Sequence, residues 1–297
     1  MASDRRALLK GLAAAAAAAA LPAVPALARQ TPSAPSDAVG LLYDATRCIG
    51  CRACVVAYKE ANDLPADTTT YGDGLYDAPA GLNERTKTVI QLYKEGNEQS
   101  FVKKQCMHCI DPACAAGCML GALKKREHGI VSWDASRCVG CRYCQTACPF
   151  GVPQFEWSKK APKIVKCELC RDRLAEGKQP ACTDVCPRQA VIFGKREDLL
   201  AEAHRRLASE PDQYVKTVYG EHELGGTQVL YLSHVPFEKL GFRFDSTDAV
   251  PKVQHLIQHG VYQGFLVPAA LYAVLGTVVF RNRGKGSVDG SLTDEEK

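Results

Sequence analysis

Fifteen cysteines fall into four short runs, with none left over. The first holds Cys48, Cys51 and Cys54, and the second Cys106, Cys109, Cys114 and Cys118. The third holds Cys138, Cys141, Cys144 and Cys148, and the fourth Cys167, Cys170, Cys182 and Cys186. Thiols this dense have to be tied together, so the fold must bring the runs to shared points. Two runs begin C-x2-C-x2-C, a spacing that wraps a tight loop round three corners of an iron–sulfur cubane. Disulfide frameworks seldom use four C-x2-C pairs, and fifteen is an odd number. Zinc favours C-x2-C pairs, but it does not explain the third close cysteine or the prolines after Cys148 and Cys186. Iron–sulfur clusters are the favoured reading, with an exported zinc or disulfide structural protein as the different-class alternative.

The first and third runs are copies. Tyr43–Tyr58 (YDATRCIGCRACVVAY) aligns without gaps on Trp133–Cys148 (WDASRCVGCRYCQTAC), and Tyr58 falls on Cys148. The second and fourth also resemble each other, as C-x2-C-x4-C-x3-C and C-x2-C-x11-C-x3-C, although Met119 follows Cys118 where proline follows Cys186. Between them lie short strand candidates, Thr88–Lys94, Gly129–Trp133 and Ala190–Gly194. A helix is expected over Glu197–Ala208, and residues 61–87 and 209–250 read as loops or insertions. This is an α+β pattern.

Both ends read as addresses. Arg5 and Arg6 precede an apolar run, Gly11–Leu21, and a small-x-small site at Ala26–Ala28, the pattern of a twin-arginine (Tat) signal peptide. That route exports folded proteins, which suits a cofactor assembled in the cytoplasm. Gly260–Phe280 is 21 residues without charge, followed by Arg281, Arg283 and Lys285. A C-terminal transmembrane helix with its tail in the cytoplasm is expected. The net charge of +4 gives no footing for nucleic acid. The chain carries no Ser-His-Asp order, no GxGxxG and no outstanding carboxylate pair, so no active site of its own is expected.

The motifs Lys103–Cys114 (KKQCMHCIDPAC), Cys141–Pro153 (CRYCQTACPFGVP), Lys166–Cys170 (KCELC), Ala190–Glu197 (AVIFGKRE) and Gly225–Glu238 (GGTQVLYLSHVPFE) resemble the iron–sulfur β subunits of membrane-bound oxidoreductases. The closer likeness is to the branch serving periplasmic nickel–iron hydrogenases. The resemblance implies a duplicated bacterial ferredoxin-like fold, one ferredoxin unit nested inside another, passing electrons from hydrogenase small and large subunits to an integral membrane quinone-reactive subunit. A molybdenum enzyme of formate dehydrogenase or dimethyl-sulfoxide/polysulfide reductase type is the alternative partner.

It further implies four ligand sets. Set A is Cys48, Cys51, Cys54 and Cys186. Set B is Cys167, Cys170 and Cys182 with Tyr58 in the fourth place. Set C is Cys106, Cys109, Cys114 and Cys148, and set D is Cys138, Cys141, Cys144 and Cys118. A phenol in place of a thiolate weakens or removes one iron, so three 4Fe-4S clusters and one 3Fe-4S cluster at set B are expected, with an atypically ligated 4Fe-4S cluster the second choice for B. The expected layout is signal peptide 1–28, flexible lead 29–40, four-cluster domain 41–208, a partner-contacting extension 209–257, membrane helix 258–281 and cytoplasmic tail 282–297, on the periplasmic face of the inner membrane. His108 reads as a packing or supporting residue, His255 and His259 as interfacial polar residues. Arg47 and Arg137 either stabilise an anionic centre or cap local structure.

Overall fold

The computed structural model describes residues 32–66, 81–242 and 266–282, in two compact units, 1–252 and 253–297. In chain order the first unit contains β1 (Val39–Asp44), α1 (Ala53–Glu60), β2 (Val89–Glu95), β3 (Glu98–Lys104), α2 (Ala113–Ala116), β4 (Leu123–Lys125), β5 (Val131–Trp133) and α3 (Tyr143–Ala147). There follow β6 (Gln154–Phe155), β7 (Ile164–Val165), α4 (Arg171–Ala175), α5 (Ala181–Asp184), β8 (Val191–Lys195), α6 (Arg196–Ser209) and β9 (Val229–Leu232). β2–β3, β4–β5 and β6–β7 are two-stranded antiparallel ladders, and the cysteine loops run between them and the short helices.

β1 is the middle strand of a sheet ordered β8-β1-β9. It pairs antiparallel with β8, Leu41 opposite Phe193, and parallel with β9, Leu41 opposite Val229. Its first five residues, VGLLY, run apolar without alternation because both faces of the strand are covered. Successive side chains still sort to opposite faces. Leu42, Leu230 and Leu232 meet Leu199 and Ala203 of α6, while Leu41, Tyr43, Val229 and Tyr231 join the core that holds Cys54 and Cys182. The sheet is therefore a wall between one amphipathic helix and the cysteine-bearing body. At Gly40 a Cβ would lie 1.9 Å from the Gln228 carbonyl oxygen, an approach only glycine permits.

The sheet and α6 are pinned by a buried acid. Asp44 Oδ2 accepts from Arg206 Nη1 and from the Tyr214 hydroxyl, each at 2.9 Å, while Oδ1 accepts from the Thr46 hydroxyl at 2.6 Å. Arg206 also bonds Glu202 at 2.7 Å. Removing Asp44 leaves the buried Arg206 guanidinium only Glu202 as an acid and takes the acceptor from the Tyr214 and Thr46 hydroxyls. Asp44→Ala is expected to cost about 3–5 kcal/mol, read as a lower denaturant midpoint at unchanged slope. A cost under ~1 kcal/mol would mean that solvent, not the interior, holds Arg206.

The expected strands at 88–94, 129–133 and 190–194 lie on β2, β5 and β8, and the helix expected over 197–208 is α6. Two expectations are corrected. Residues 209–250 are not loop throughout, because Val229–Leu232 forms a fully buried strand, and Tyr219, Val235, Phe237, Leu240 and Phe242 pack into the main core. The described part of the extension expected at 209–257 is thus structural core of the cysteine-bearing unit. The lead expected to end at residue 40 already enters β1 at Val39.

In the second unit, α7 (Leu266–Asn282) has 17 residues and no acid in its first turn. Among the described residues no helix is long and apolar enough to cross a membrane. The expected span begins at Gly260, outside the described residues, as do the signal peptide, His255, His259 and residues 283–297.

Candidate metal sites

The repeat seen in the sequence is a repeat of backbone geometry. Asp44 and Asp134 each accept from the backbone N–H and the hydroxyl two residues on, Thr46 at 3.0 and 2.6 Å and Ser136 at 2.9 and 2.6 Å. Arg47 and Arg137 fold back on the same acids at 3.4 and 3.6 Å, so these arginines brace the turn. Each loop then passes through two left-handed residues, Gly50 and Arg52 (φ 71° and 59°) and Gly140 and Arg142 (φ 70° and 65°), before α1 or α3 begins. A Cβ on Gly50 would strike the Phe101 ring at 2.3 Å. The strained turns wind three thiols of each run towards one side.

The other two runs share a second device. Pro112 and Pro180 open the four-residue helices α2 and α5, which place Cys114 and Cys182 in the interior. Backbone N–H groups of Ala122 and Ala190 donate to Cys118 Sγ and Cys186 Sγ at 3.2 and 3.3 Å. Such N–H···S bonds favour the anionic form of the sulfur.

The thiols converge in four groups. Cys54 lies within electrostatic reach of Cys48, Cys186 and Cys51, and these four line one cavity with Tyr43, Ile90 and Pro187. Cys144 faces Cys118, Cys141 and Cys138, and these line a second cavity of about 220 Å³. Cys109 faces Cys148, Cys114 and Cys106. Cys182 faces Cys167 and Cys170, and Tyr58 is directed at the same two. The grouped thiols, gathered around open space at the first and second of these groups, fit a polynuclear iron–sulfur group.

Neighbouring groups adjoin in the order A, B, C, D. Cys54 of set A is within reach of Cys182 of set B, Cys167 of B is within reach of Cys106 of set C, and Cys114 of C is within reach of Cys144 of set D. Cys51 at one end and Cys141 at the other are exposed, whereas Cys106, Cys114, Cys167, Cys170 and Cys182 are buried. Burial pushes the thiols of Cys106, Cys109, Cys114 and Cys167 upwards, and those of Cys144 and Cys182 to about 12. A bound cation favours the thiolate form of such sulfurs.

Tyr58 is 2% exposed and hydrogen-bonded to Cys167, and burial first, then the neighbouring thiols, raises its phenol well above its ordinary range. Its counterpart Cys148 caps α3 with an extended backbone, ahead of Pro149. No proline follows Tyr58, so α1 continues to Glu60 and the aligned position stays inside a helix. His108 is fully buried between Cys106 and Cys109, and its Nδ1 accepts the Val131 N–H at 3.1 Å. Burial lowers its pKa strongly, so the ring is neutral with its proton on Nε2.

Sequence reasoning missed the lysines. Lys103 on β3 and Lys166 beside β7 point inwards, their Nζ atoms donating to the Thr88 hydroxyl and to the Val131 and Cys167 carbonyls. Burial works against the charge of Lys103, but the thiols of Cys54, Cys182, Cys167 and Cys48 outweigh it and raise its pKa. Its neighbour Lys104 faces the other way, over the Phe242 ring at 3.9 Å, and burial alone lowers it to about 8. The alternation of β3 was the available signal, since a lysine on the inward register of a strand needs an anion.

A family model described as a 4Fe-4S dicluster domain matches residues 97–196, which hold every cysteine but those of the first run. The chain is 38% identical over 299 residues to the Hydrogenase-2 operon protein HybA of Escherichia coli O157:H7, covering 89% of this chain and 90% of that one. It is 37% identical over 268 residues to the nitrate-inducible formate dehydrogenase iron-sulfur subunit of Escherichia coli K12, covering 87% and 89%. The chain belongs to this family of iron–sulfur subunits. A further relative from Nitratidesulfovibrio vulgaris is 45% identical over 209 residues, and the match spans 56% of that protein. Membership accounts for the α+β ferredoxin-type body and for the cysteines as holders of iron–sulfur clusters.

Proposed function

We propose that this chain is a non-catalytic electron-transfer subunit, relaying electrons between a periplasmic nickel–iron hydrogenase and a quinone-reactive membrane subunit. The observation that carries the reading is the order A–B–C–D, buried in the middle and exposed at both ends. Apolar residues surround each end: Ile49, Val56 and Val185 near set A, and Met119, Leu120, Val139 and Tyr143 near set D. Exposed apolar patches of this kind suit docked partners. Bound clusters supply one-electron carriers. The residues of sets A to D hold them, exclude water from the inner two, and present the outer two to partners.

The assignment is Cys48, Cys51, Cys54 and Cys186 for A, and Cys167, Cys170 and Cys182 beside Tyr58 for B. Cys106, Cys109, Cys114 and Cys148 serve C, and Cys138, Cys141, Cys144 and Cys118 serve D. This makes one ferredoxin unit, built on runs two and three, nested inside another built on runs one and four. Clusters A, C and D are 4Fe-4S and B is 3Fe-4S. Export through the twin-arginine signal and anchoring through residues 260–280 would put the body outside the inner membrane; the absence of charge from Gly260 to Phe280, ahead of Arg281, supports the anchor.

Anaerobically purified protein is expected to be brown and to carry about fifteen iron atoms per chain. Colourless protein holding zinc would sink the proposal. The decisive experiment on partners is purification from native membranes, with mass spectrometry of what travels with the chain and an alkaline wash to test anchoring. Hydrogenase subunits are expected. The similarity to a formate dehydrogenase subunit supports a second reading, the same relay for a molybdenum enzyme, and recovery of that enzyme instead would establish it.

A further inference from the structure

Lys103 is completely buried and Lys166 nearly so, and neither forms an ion pair with a carboxylate among the described residues. An uncompensated ammonium in a protein interior is costly, so an anion must face it. What faces each lysine is a pair of adjacent cysteine sets. Lys103 lies within electrostatic reach of Cys48 and Cys54 of set A and of Cys167 and Cys182 of set B. Lys166 lies within reach of Cys106, Cys114 and Cys148 of set C and of Cys167 of set B. Set D has neither. One acid, Glu168, also reaches Cys106, but its carboxylate is engaged by the Trp133 N–H at 2.5 Å. Lys87, half-buried, adds a third cation beside Cys167.

We infer that Lys103 and Lys166 are fixed counter-charges wedged between neighbouring centres, raising the reduction potentials of A and B and of B and C respectively. The inference rests on the iron–sulfur reading above. Each reduction adds one electron and so one negative charge, and a buried cation beside the centre stabilises the reduced form. Set B, flanked by both lysines, is raised by each. The middle of the series is thereby easier to reduce than its sulfur ligands alone would make it, which keeps electrons inside the relay instead of at its exposed ends. Both lysines act through the centres beside them and are positioning residues for charge.

The test uses the full chain with its partners, purified anaerobically, and EPR-monitored redox titration of Lys103→Met and Lys166→Met. At a fixed potential, the oxidised-to-reduced ratio at B is expected to rise at least tenfold in either variant, a shift of about 59 mV for one electron. Set A should shift with Lys103→Met only, set C with Lys166→Met only, and set D in neither, so D is the internal standard. Lys103→Arg keeps the charge and should titrate close to the native protein. Lys103→Gln and Lys166→Gln, which keep an N–H donor, serve if the methionine variants hold no iron. An iron-replete neutral variant with unmoved potentials at B would overturn the inference and leave the relay intact. Loss of iron in the neutral and arginine variants alike would assign the lysines to packing and overturn it too. Native protein without iron would instead overturn the reading beneath it.

Discussion

Tyr58→Cys should abolish the EPR signal of a three-iron centre in the oxidised protein and replace it with a four-iron centre that is silent until reduced. Tyr58 occupies the place that Cys148 holds in the other copy of the repeat, it is 2% exposed, and its hydroxyl is bonded to Cys167 of set B. A phenol whose pKa burial drives far above neutrality stays protonated and is a poor iron ligand, whereas a thiol there completes four sulfur donors. Tyr58→Phe separates the two chemistries: a three-iron signal that survives it shows that the phenol is no ligand. The helix matters as well. α1 runs two residues beyond position 58, while α3 stops at Ala147 and lets Cys148 adopt an extended backbone before a proline. The double variant Tyr58→Cys with Lys59→Pro reproduces the Cys148–Pro149 sequence and should load the fourth iron more completely than Tyr58→Cys alone. Oxidised native protein that is EPR-silent, with full four-iron stoichiometry at every set, would falsify the assignment of B.

Cysteine spacing and the ungapped repeat were legible because cluster ligation and tight turns are local. The Asp-Ala-Thr-Arg and Asp-Ala-Ser-Arg starts encode the same braced turn, and the sequence could pose two roles for Arg47 and Arg137 without choosing between them. Geometry makes them partners of Asp44 and Asp134. β2 and α6 were legible from period and flanks. β9 was not: VLYL has four residues, sits among glycines and charges, and acquires its strand character from parallel pairing with β1, far away in sequence. Long-range pairing leaves no local periodicity. The buried lysines were equally opaque, since a lysine beside an anionic interior and one on the surface are written with the same letter. The sheet register and the four converging sets tell them apart.

The corrected boundary sets the largest effect on stability. A chain ended after Ala208, where the ferredoxin-like domain was expected to close, should fail to fold and should hold little iron. It would lose Tyr219, Val229, Leu230, Tyr231, Leu232, Val235 and Phe237, all essentially inaccessible to solvent. Fully burying such a side chain contributes about 1.5–3 kcal/mol, and a domain's whole net stability is about 5–15 kcal/mol. The loss also bares one edge of β1, removes the Tyr214 hydroxyl from Asp44, and takes the Tyr231 hydroxyl from the Lys103 carbonyl, which it meets at 2.7 Å. That last bond holds the strand carrying Lys103 against the core. A chain ended after Phe242 keeps all of these contacts, including the Tyr219–Phe242 and Tyr231–Phe242 ring pairs at 4.7 and 5.0 Å. It should therefore retain a cooperative unfolding transition and its iron. Near-UV circular dichroism and iron content compare the two directly. A sharp transition with full iron in the shorter chain would mean that β9 and the aromatic cluster behind it are an appendage, and that the cysteine-bearing body closes without them.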